Sequence, residues 1–291
     1  MSQIACQSML RSISSLLALL LFSLLCPLQA QTLTGKVQNA QTNNPIIYAH
    51  VGVVGTGIGT ITDENGDFKL NLPPNLPPQA VLQFSAIGFD TRQITPAHLR
   101  SNPIVKLQPA SISLPEVTVT DRRRDRLITK GHYSRSRRIV TGWSGGISRG
   151  GVRAAHIRLP NHATDARLKI FRFHLAYNGY DSILFRVHFF YPADSGKGPG
   201  EAFALTEDIF LSHGNTTGEI ELDLTPWQII TDQDFYVAVE VVRTYGVCEG
   251  GECLHFSVVL MKERIYYRNT STGAWGSSKL GSPAFEIDML Y

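Results

Sequence analysis

Several groups of residues in this 291-residue chain could do chemistry. Gly142-Trp143-Ser144-Gly145-Gly146 fits G-x-S-x-G, the spacing that presents a nucleophilic serine at a strand-to-helix elbow. More glycine and then strand-like sequence follow Ser144, so the run reads as a loop. Cys248 and Cys253 with His255 could offer ligands to zinc. They supply at most three local donors and lack the paired-cysteine spacing of such sites. In an exported chain a lone close pair is most simply a disulfide, with Gly250-Gly251 as its turn. Asp63, Asn65 and Asp67 are spaced like the start of a calcium loop, but the closing glutamate is missing. Asp63-Glu64-Asn65-Gly66-Asp67 reads instead as the turn of a tight hairpin. Gly55-Thr56-Gly57-Ile58-Gly59 lacks the helix a dinucleotide loop needs, and reads as a connection between strands. His174 and His188 fall within strands as hydrogen-bonded sheet residues. Trp143, Trp227 and Trp275 could stack on sugar rings, although rim or core packing is the commoner fate of such side chains. The expected sites are therefore a Cys248–Cys253 disulfide and these three ligand-contact aromatics, with no catalytic residue, metal or cofactor.

The elements that must hold these residues are strands. Short apolar runs recur at Leu33–Val37, Ile46–Val54, Gly59–Thr62, Phe68–Leu72, Val81–Phe89, Arg92–Ile94, Ile104–Leu107 and Glu116–Thr120. Pro73-Pro74-Asn75-Leu76-Pro77-Pro78 cannot continue a ladder and is a stiff loop. A second set comprises Ala154–Leu159, Leu168–Tyr177, Ile183–Tyr191, Ile220–Leu224, Phe235–Arg243, Leu254–Met261, Arg264–Arg268 and Ala284–Tyr291. Alternation is clean where Ile220, Leu222 and Leu224 oppose Glu219, Glu221 and Asp223. Phe285, Ile287, Met289 and Tyr291 alternate as well. That resembles the last strand of an outer-membrane barrel, but charges on both faces elsewhere favour a core strand of a soluble sandwich. Helical periodicity is absent.

The stretch from Gly35 to Asp90 carries a more specific pattern. It reads Gly35-Lys36-Val37, Asn44-Pro45, Ala49 and Val51, Gly55-Thr56, Gly59-Thr60, Thr62-Asp63, Gly66, Phe68, Leu70, Phe84 and Ile87-Gly88-Phe89. It resembles the carboxypeptidase-like regulatory domain, a small transthyretin-like β-sandwich of exported proteins in Bacteroidetes-type bacteria. Leu114–Thr120 is similar to that domain's closing strand. The resemblance implies a fold and a compartment. It implies no peptidase activity, because the family's name reflects the domain's neighbours. Such domains often precede transporter barrels, for which this chain is too short.

Composition fits that picture: 43% hydrophobic and 18% charged residues build ordinary cores. Residues 1–30, with Arg11, the apolar run Leu16–Leu25 and Ala30, read as a signal peptide. Leu25 before Cys26 disfavours lipidation. Cys6 and Cys26 would leave with the leader. Residues 121–138 hold eight basic and two acidic side chains, residues 139–291 thirteen and seventeen. The net charge of +3 thus hides a basic linker and a mildly acidic C-terminal region.

The sequence therefore predicts an all-β exported protein. Residues 1–30 are the signal peptide, 31–120 a transthyretin-like, Ig-like β-sandwich, 121–141 a basic linker and 142–291 a second, jelly-roll-like sandwich. The expected role is a non-enzymatic binding or assembly module in the periplasm, associated peripherally with the outer membrane, or outside the cell. Its partner would be an envelope protein or a polysaccharide. Nucleic acid is set aside for an exported chain. The competing readings are a carbohydrate-binding accessory and a serine hydrolase using Ser144.

Overall fold

Strands build both halves of the protein, some with period-two burial, as in Asp67–Leu72, and some buried on both faces, as in Gly151–Ile157. The computed structural model describes residues 31–110, 126–144, 149–160, 165–249, 252–270 and 272–291. The signal peptide, the strand expected at Glu116–Thr120 and the Gly250-Gly251 turn lie outside the described residues.

The first half has seven strands, β1 (Gln31–Asn39), β2 (His50–Val53), β3 (Gly59–Ile61), β4 (Asp67–Leu72), β5 (Leu82–Ser85), β6 (Arg92–Ile94) and β7 (Ile104–Leu107). One sheet runs β4-β1-β7, with β1 and β7 parallel; the other runs β3-β2-β5-β6. Leu33, Val37, Val51, Val53, Phe68, Leu70, Leu82, Phe84 and Val105 meet between them. A short helix, α1 (Pro96–Ser101), went unforeseen. Thr95 caps it by accepting from the His98 N–H, and Pro96 sits where its missing N–H costs nothing.

The turn at Asp63–Asp67 corrects one expectation. Asp63 Oδ1 accepts the Asn65 and Asp67 N–H groups at 2.8 and 2.9 Å, and Gly66 takes φ +74°. The turn chemistry is as read, but the strands it joins, β3 and β4, belong to different sheets. It is an arch between sheets, not a hairpin. Gly66 is required there, because a Cβ would sit 2.6 Å from the Val37 carbonyl oxygen.

The second half comprises β8 (Leu127–Gly131), β9 (Val140–Ser144), β10 (Gly151–Ile157), β11 (Ala166–Asn178), β12 (Ser182–Pro192), β13 (Pro199–Ala202), β14 (Ile209–Gly214) and β15 (Gly218–Asp223). It continues with β16 (Ile230–Thr231), β17 (Phe235–Tyr245), β18 (Glu252–Leu260), β19 (Ile265–Arg268), β20 (Gly276–Ser278), β21 (Gly281–Pro283) and β22 (Phe285–Leu290). One sheet runs β13-β12-β17-β10-β19-β20, with β14 also on β12. The other runs β21-β18-β11-β22-β8, with β15 and β16 on β11 and β9 on β18. Between them lies an aromatic cluster of Phe171, Phe173, Phe185, Phe256 and Phe285, mostly in edge-to-face contact. β22 is a core strand between β11 and β8, with Phe285, Ile287 and Met289 pointing into that cluster's core. The segment expected as a basic linker, 121–141, is in part sheet: Leu127–Gly131 pairs with β22 from Leu290 to Glu286.

Candidate functional site

Strand alternation also decides what each sheet shows on its outer face. On β2, Val51 and Val53 enter the first core, so His50 and Gly52 point the other way. On β12, Ile183, Phe185, Val187 and Phe189 enter the second core, leaving Leu184, Arg186, His188 and Phe190 outward. On β17 the same rule puts Glu240 and Val242 outward. Arg186 and Glu240 are nevertheless 2% and 0% exposed. Outward charges become buried only when another layer covers them, and here the first sandwich is that layer. Tyr48, Ile61 and Val242, with Leu184 and Phe210, form an apolar cluster across the junction.

Arg186 is the centre of the junction. Its Nε donates to Glu240 Oε2 at 2.8 Å and its Nη1 to Asp208 Oδ2 and to the Tyr48 carbonyl at 3.1 Å each. Its Nη2 lies 2.5 Å from His50 Nε2. A guanidinium has only donors, so His50 Nε2 is the acceptor and carries no proton. His188 Nε2 lies 2.6 Å from Glu240 Oε2 and donates to it. Tyr48 holds φ +54°, a conformation bulky residues avoid, and its carbonyl is thereby aimed at Arg186.

Burial alone would raise the Glu240 carboxyl. The Arg186 charge, with the hydrogen bond from His188, overcomes that and holds it well below the carboxylate range. Burial lowers His50 to about 4, against the pull of Glu240 and with the help of Arg186. Burial likewise lowers His188. Both imidazoles are neutral at pH 7. The ligand atoms of His50, His188 and Glu240 lie within 4.8 Å of one another, a spacing that could hold a metal ion. The Arg186 guanidinium already bonds His50 and Glu240, so the positive charge there is the protein's own.

Two further contacts fix the halves together. Glu64 pairs with Arg243 at 2.5 Å and accepts from Tyr48 Oη at 3.3 Å. The loop after β19 reaches back to the β2–β3 connection: Thr270 Oγ1 donates to the Gly57 carbonyl at 3.3 Å. Thr272 lies so close that a Cβ on Gly52 would sit 1.6 Å from its Oγ1. The Gly55–Gly59 run is a strand connection, as read, and its lack of side chains also lets the second half approach.

Beside the Arg186 group is a cavity of about 360 Å³. Its walls include His50, Gln83 and Ile87 from the first half, and His188, Asp208, Arg268 and Thr272 from the second.

Residues 33–119 match the CarboxypepD_reg-like domain family. The β2–β5 sheet of this CarboxypepD_reg-like domain is therefore the face that lies on the second sandwich. No curated protein matches the chain. A Bacteroides uniformis protein provisionally described as carbohydrate binding has a TM-score of 0.21 at 12% identity, over 89% of this chain and 97% of its own. A chain of the T13 IBDV viral particle has a TM-score of 0.27 at 8% identity, over 90% of this chain and 62% of its own.

The residues singled out from sequence are scattered. Cys248 and Cys253 form a disulfide with 5.8 Å between Cα atoms, so neither is a thiolate for zinc. Trp143 is 4% exposed, packed on Phe256 and under the Arg153 guanidinium at 4.4 Å. That burial removes it as a ligand-contact aromatic. Trp275 packs edge-on against Phe190 and lies 4.7 Å from the Arg268 guanidinium. Trp227 is half-buried in a separate hollow of about 400 Å³ with Tyr191, Phe203 and Leu205. Ser144 ends β9, and the next described element is the strand β10. His174 Nδ1 donates to Ser257 Oγ at 2.8 Å, since that hydroxyl gives its own proton to the Ser136 carbonyl.

Proposed function

We propose that this chain is a non-enzymatic, exported binding module in which the CarboxypepD_reg-like domain and the second sandwich form one surface. The observation that supports this most directly is the Arg186 network. Arg186, Glu240, His188, His50 and Asp208 hold the two halves in register around a cavity. The matched domain and the all-β architecture fit a binding role. The compartment follows from the leader-like first thirty residues and the family resemblance.

A photo-crosslinking side chain at Gln83, inside the cavity, should capture envelope material in living cells. The same group at exposed Lys69, on the other sheet of the first half, should not. Equal capture at both positions would contradict a binding face at the junction.

A second reading is favoured by Trp227. Its indole N–H is buried without a partner among the described residues, beside a ring pair, Tyr191 and Phe203, stacked at 4.2 Å. Such a hollow suits a sugar ring, which would stack and accept one hydrogen bond. If the chain is a carbohydrate-binding accessory, Trp227→Ala should reduce polysaccharide retention in affinity electrophoresis by about tenfold, since a buried aromatic anchor is commonly worth ~1–2 kcal/mol or more. Retention unchanged in Trp227→Ala would remove this reading.

A further inference from the structure

Three of the buried polar side-chain atoms left without a hydrogen-bond partner among the described residues belong to residues around one cavity. They are Arg268 Nε, Asp208 Oδ1 and Thr272 Oγ1, and the cavity is the one at the junction. Buried polar groups are normally satisfied, so a cluster of unsatisfied ones asks what completes them.

Arg268 carries most of the argument. Its main chain pairs with Val152, but its side-chain Nε has no partner among the described residues. Its guanidinium lies against Trp275 at 4.7 Å and Phe190 at 5.4 Å. A cation–π contact engages the charge of the group without using up its N–H donors. Arg186, the neighbouring cation, already has Glu240 and Asp208 as partners, whereas Arg268 Nε has none among the described residues. Burial lowers Arg268 to about 10, with Glu240 pulling it up and Arg186 pushing it down; it is still charged at neutral pH, and an anion beside it would relieve the remaining cost. Asp208 supplies the complementary half. One of its oxygens is bonded to Arg186, and the other is a buried acceptor with nothing to accept from.

We infer that the junction cavity binds a small carboxylate that carries an adjacent hydroxyl or amino group. The carboxylate would pair with the in-plane donors of Arg268, and the neighbouring O–H or N–H would donate to Asp208, with Thr272 at the rim. This rests on the reading of the junction as a binding face and names its ligand chemistry. A bidentate guanidinium–carboxylate pair explains why an arginine stands here. The cavity volume lies in the range of small-ligand sites. α-Amino acids carry the amino group on the carbon that bears the carboxylate, and uronic acid sugars a ring hydroxyl one carbon further on, so both place an N–H or O–H donor near the carboxylate.

The test is titration calorimetry of the full chain with D-galacturonate, L-alanine and D-galactose. At least one of the two carboxylates should bind saturably, and galactose should not. The one that binds identifies the source as acidic sugar or amino acid. Arg268→Met should weaken that binding by at least about tenfold, the usual scale for losing a charge-assisted pair. Asp208→Asn, which returns a donor where an acceptor stood, should weaken it too. Arg268→Lys keeps the charge but loses the fork, and should bind between wild type and Arg268→Met; it serves if the methionine variant fails to fold. Absence of binding by both carboxylates, or undiminished binding in Arg268→Met, would overturn the inference. Binding of galactose alone would overturn the acid assignment while leaving a ligand site at the junction.

Discussion

Replacing Glu240 by alanine is expected to destabilise the protein by about 3–5 kcal/mol, the scale for breaking a buried, hydrogen-bonded charge pair from one side. Glu240 accepts from Arg186 and His188 and is wholly buried. Its removal leaves Arg186, itself 2% exposed, with Asp208 and two neutral acceptors. Against a typical total of ~5–15 kcal/mol, such a loss is a large fraction. The double change Arg186→Met with Glu240→Leu should cost much less than the two single changes summed, because neither then strands a charge. Urea unfolding of the four proteins at pH 7 measures both quantities. A Glu240→Ala loss below about 1 kcal/mol, the level of a surface pair, would show that the junction is wet.

The second large effect is on pH. His50 is lowered by burial from 6.5 to about 4 in the folded protein. Between those values the unfolded chain takes up a proton that the folded chain refuses, so folding releases it. The contribution of His50 is therefore complete above about pH 6.5, falls as the pH drops, and is exhausted below about pH 4. Its size is about 3 kcal/mol, at 1.36 kcal/mol for each unit of difference. His188, also lowered, acts in the same direction. Glu240, held well below 4.5 by Arg186 and the His188 hydrogen bond, adds a loss that begins as the pH falls through the ordinary glutamate range. The charged groups facing His50 are Arg186 and Glu240, with Asp208 bound to the far side of Arg186. Stability measured from pH 7 down to pH 4.5 should drop steeply in wild type and less steeply in His50→Gln. Parallel profiles for the two would contradict the burial of His50 as a neutral acceptor.

Much of the fold was legible because period-two patterning is a local signal. Ile183-Phe185-Val187-Phe189 announced an inward face, and the structure has those four side chains in the core. The apolar runs read at Leu33–Val37, Phe68–Leu72 and Val81–Phe89 supply Leu33, Phe68, Leu70 and Phe84 to the first core. Elements with weak apolar content escaped. β8 is flanked by arginines, β9 is glycine-containing, and the helix at Pro96–Ser101 buries little besides Pro96 and Leu99. The Asp63–Asp67 turn shows a different limit. Local chemistry fixes the bend, but which sheet the next strand joins is set by partners 30 residues or more away, such as Leu33 against Leu70.

The site was hidden for the same reason. Arg186, His188 and Glu240 stood in plain view as charges interrupting apolar strands, and His188 was read as a hydrogen-bonded sheet residue, which it is. Their partners Tyr48 and His50 are 138 and 136 residues from Arg186, and no spacing rule reaches that far. The one available signal was the charge itself: an arginine and a glutamate in the middle of otherwise apolar strands mark an outer face that something must cover. Aromatic type alone misled in the case of Trp143. A tryptophan can face a ligand or fill a core, and its strand neighbour Leu254 places it in the core.

The central claim is that the two sandwiches are locked into one unit by the Arg186–Glu240–His50 group. Differential scanning calorimetry of the full chain at pH 7 tests it most directly. The lock predicts a single transition whose calorimetric and van't Hoff enthalpies agree, and its separation into two in Glu240→Ala. Two resolved transitions in the wild-type protein, each unmoved by Glu240→Ala, would contradict it.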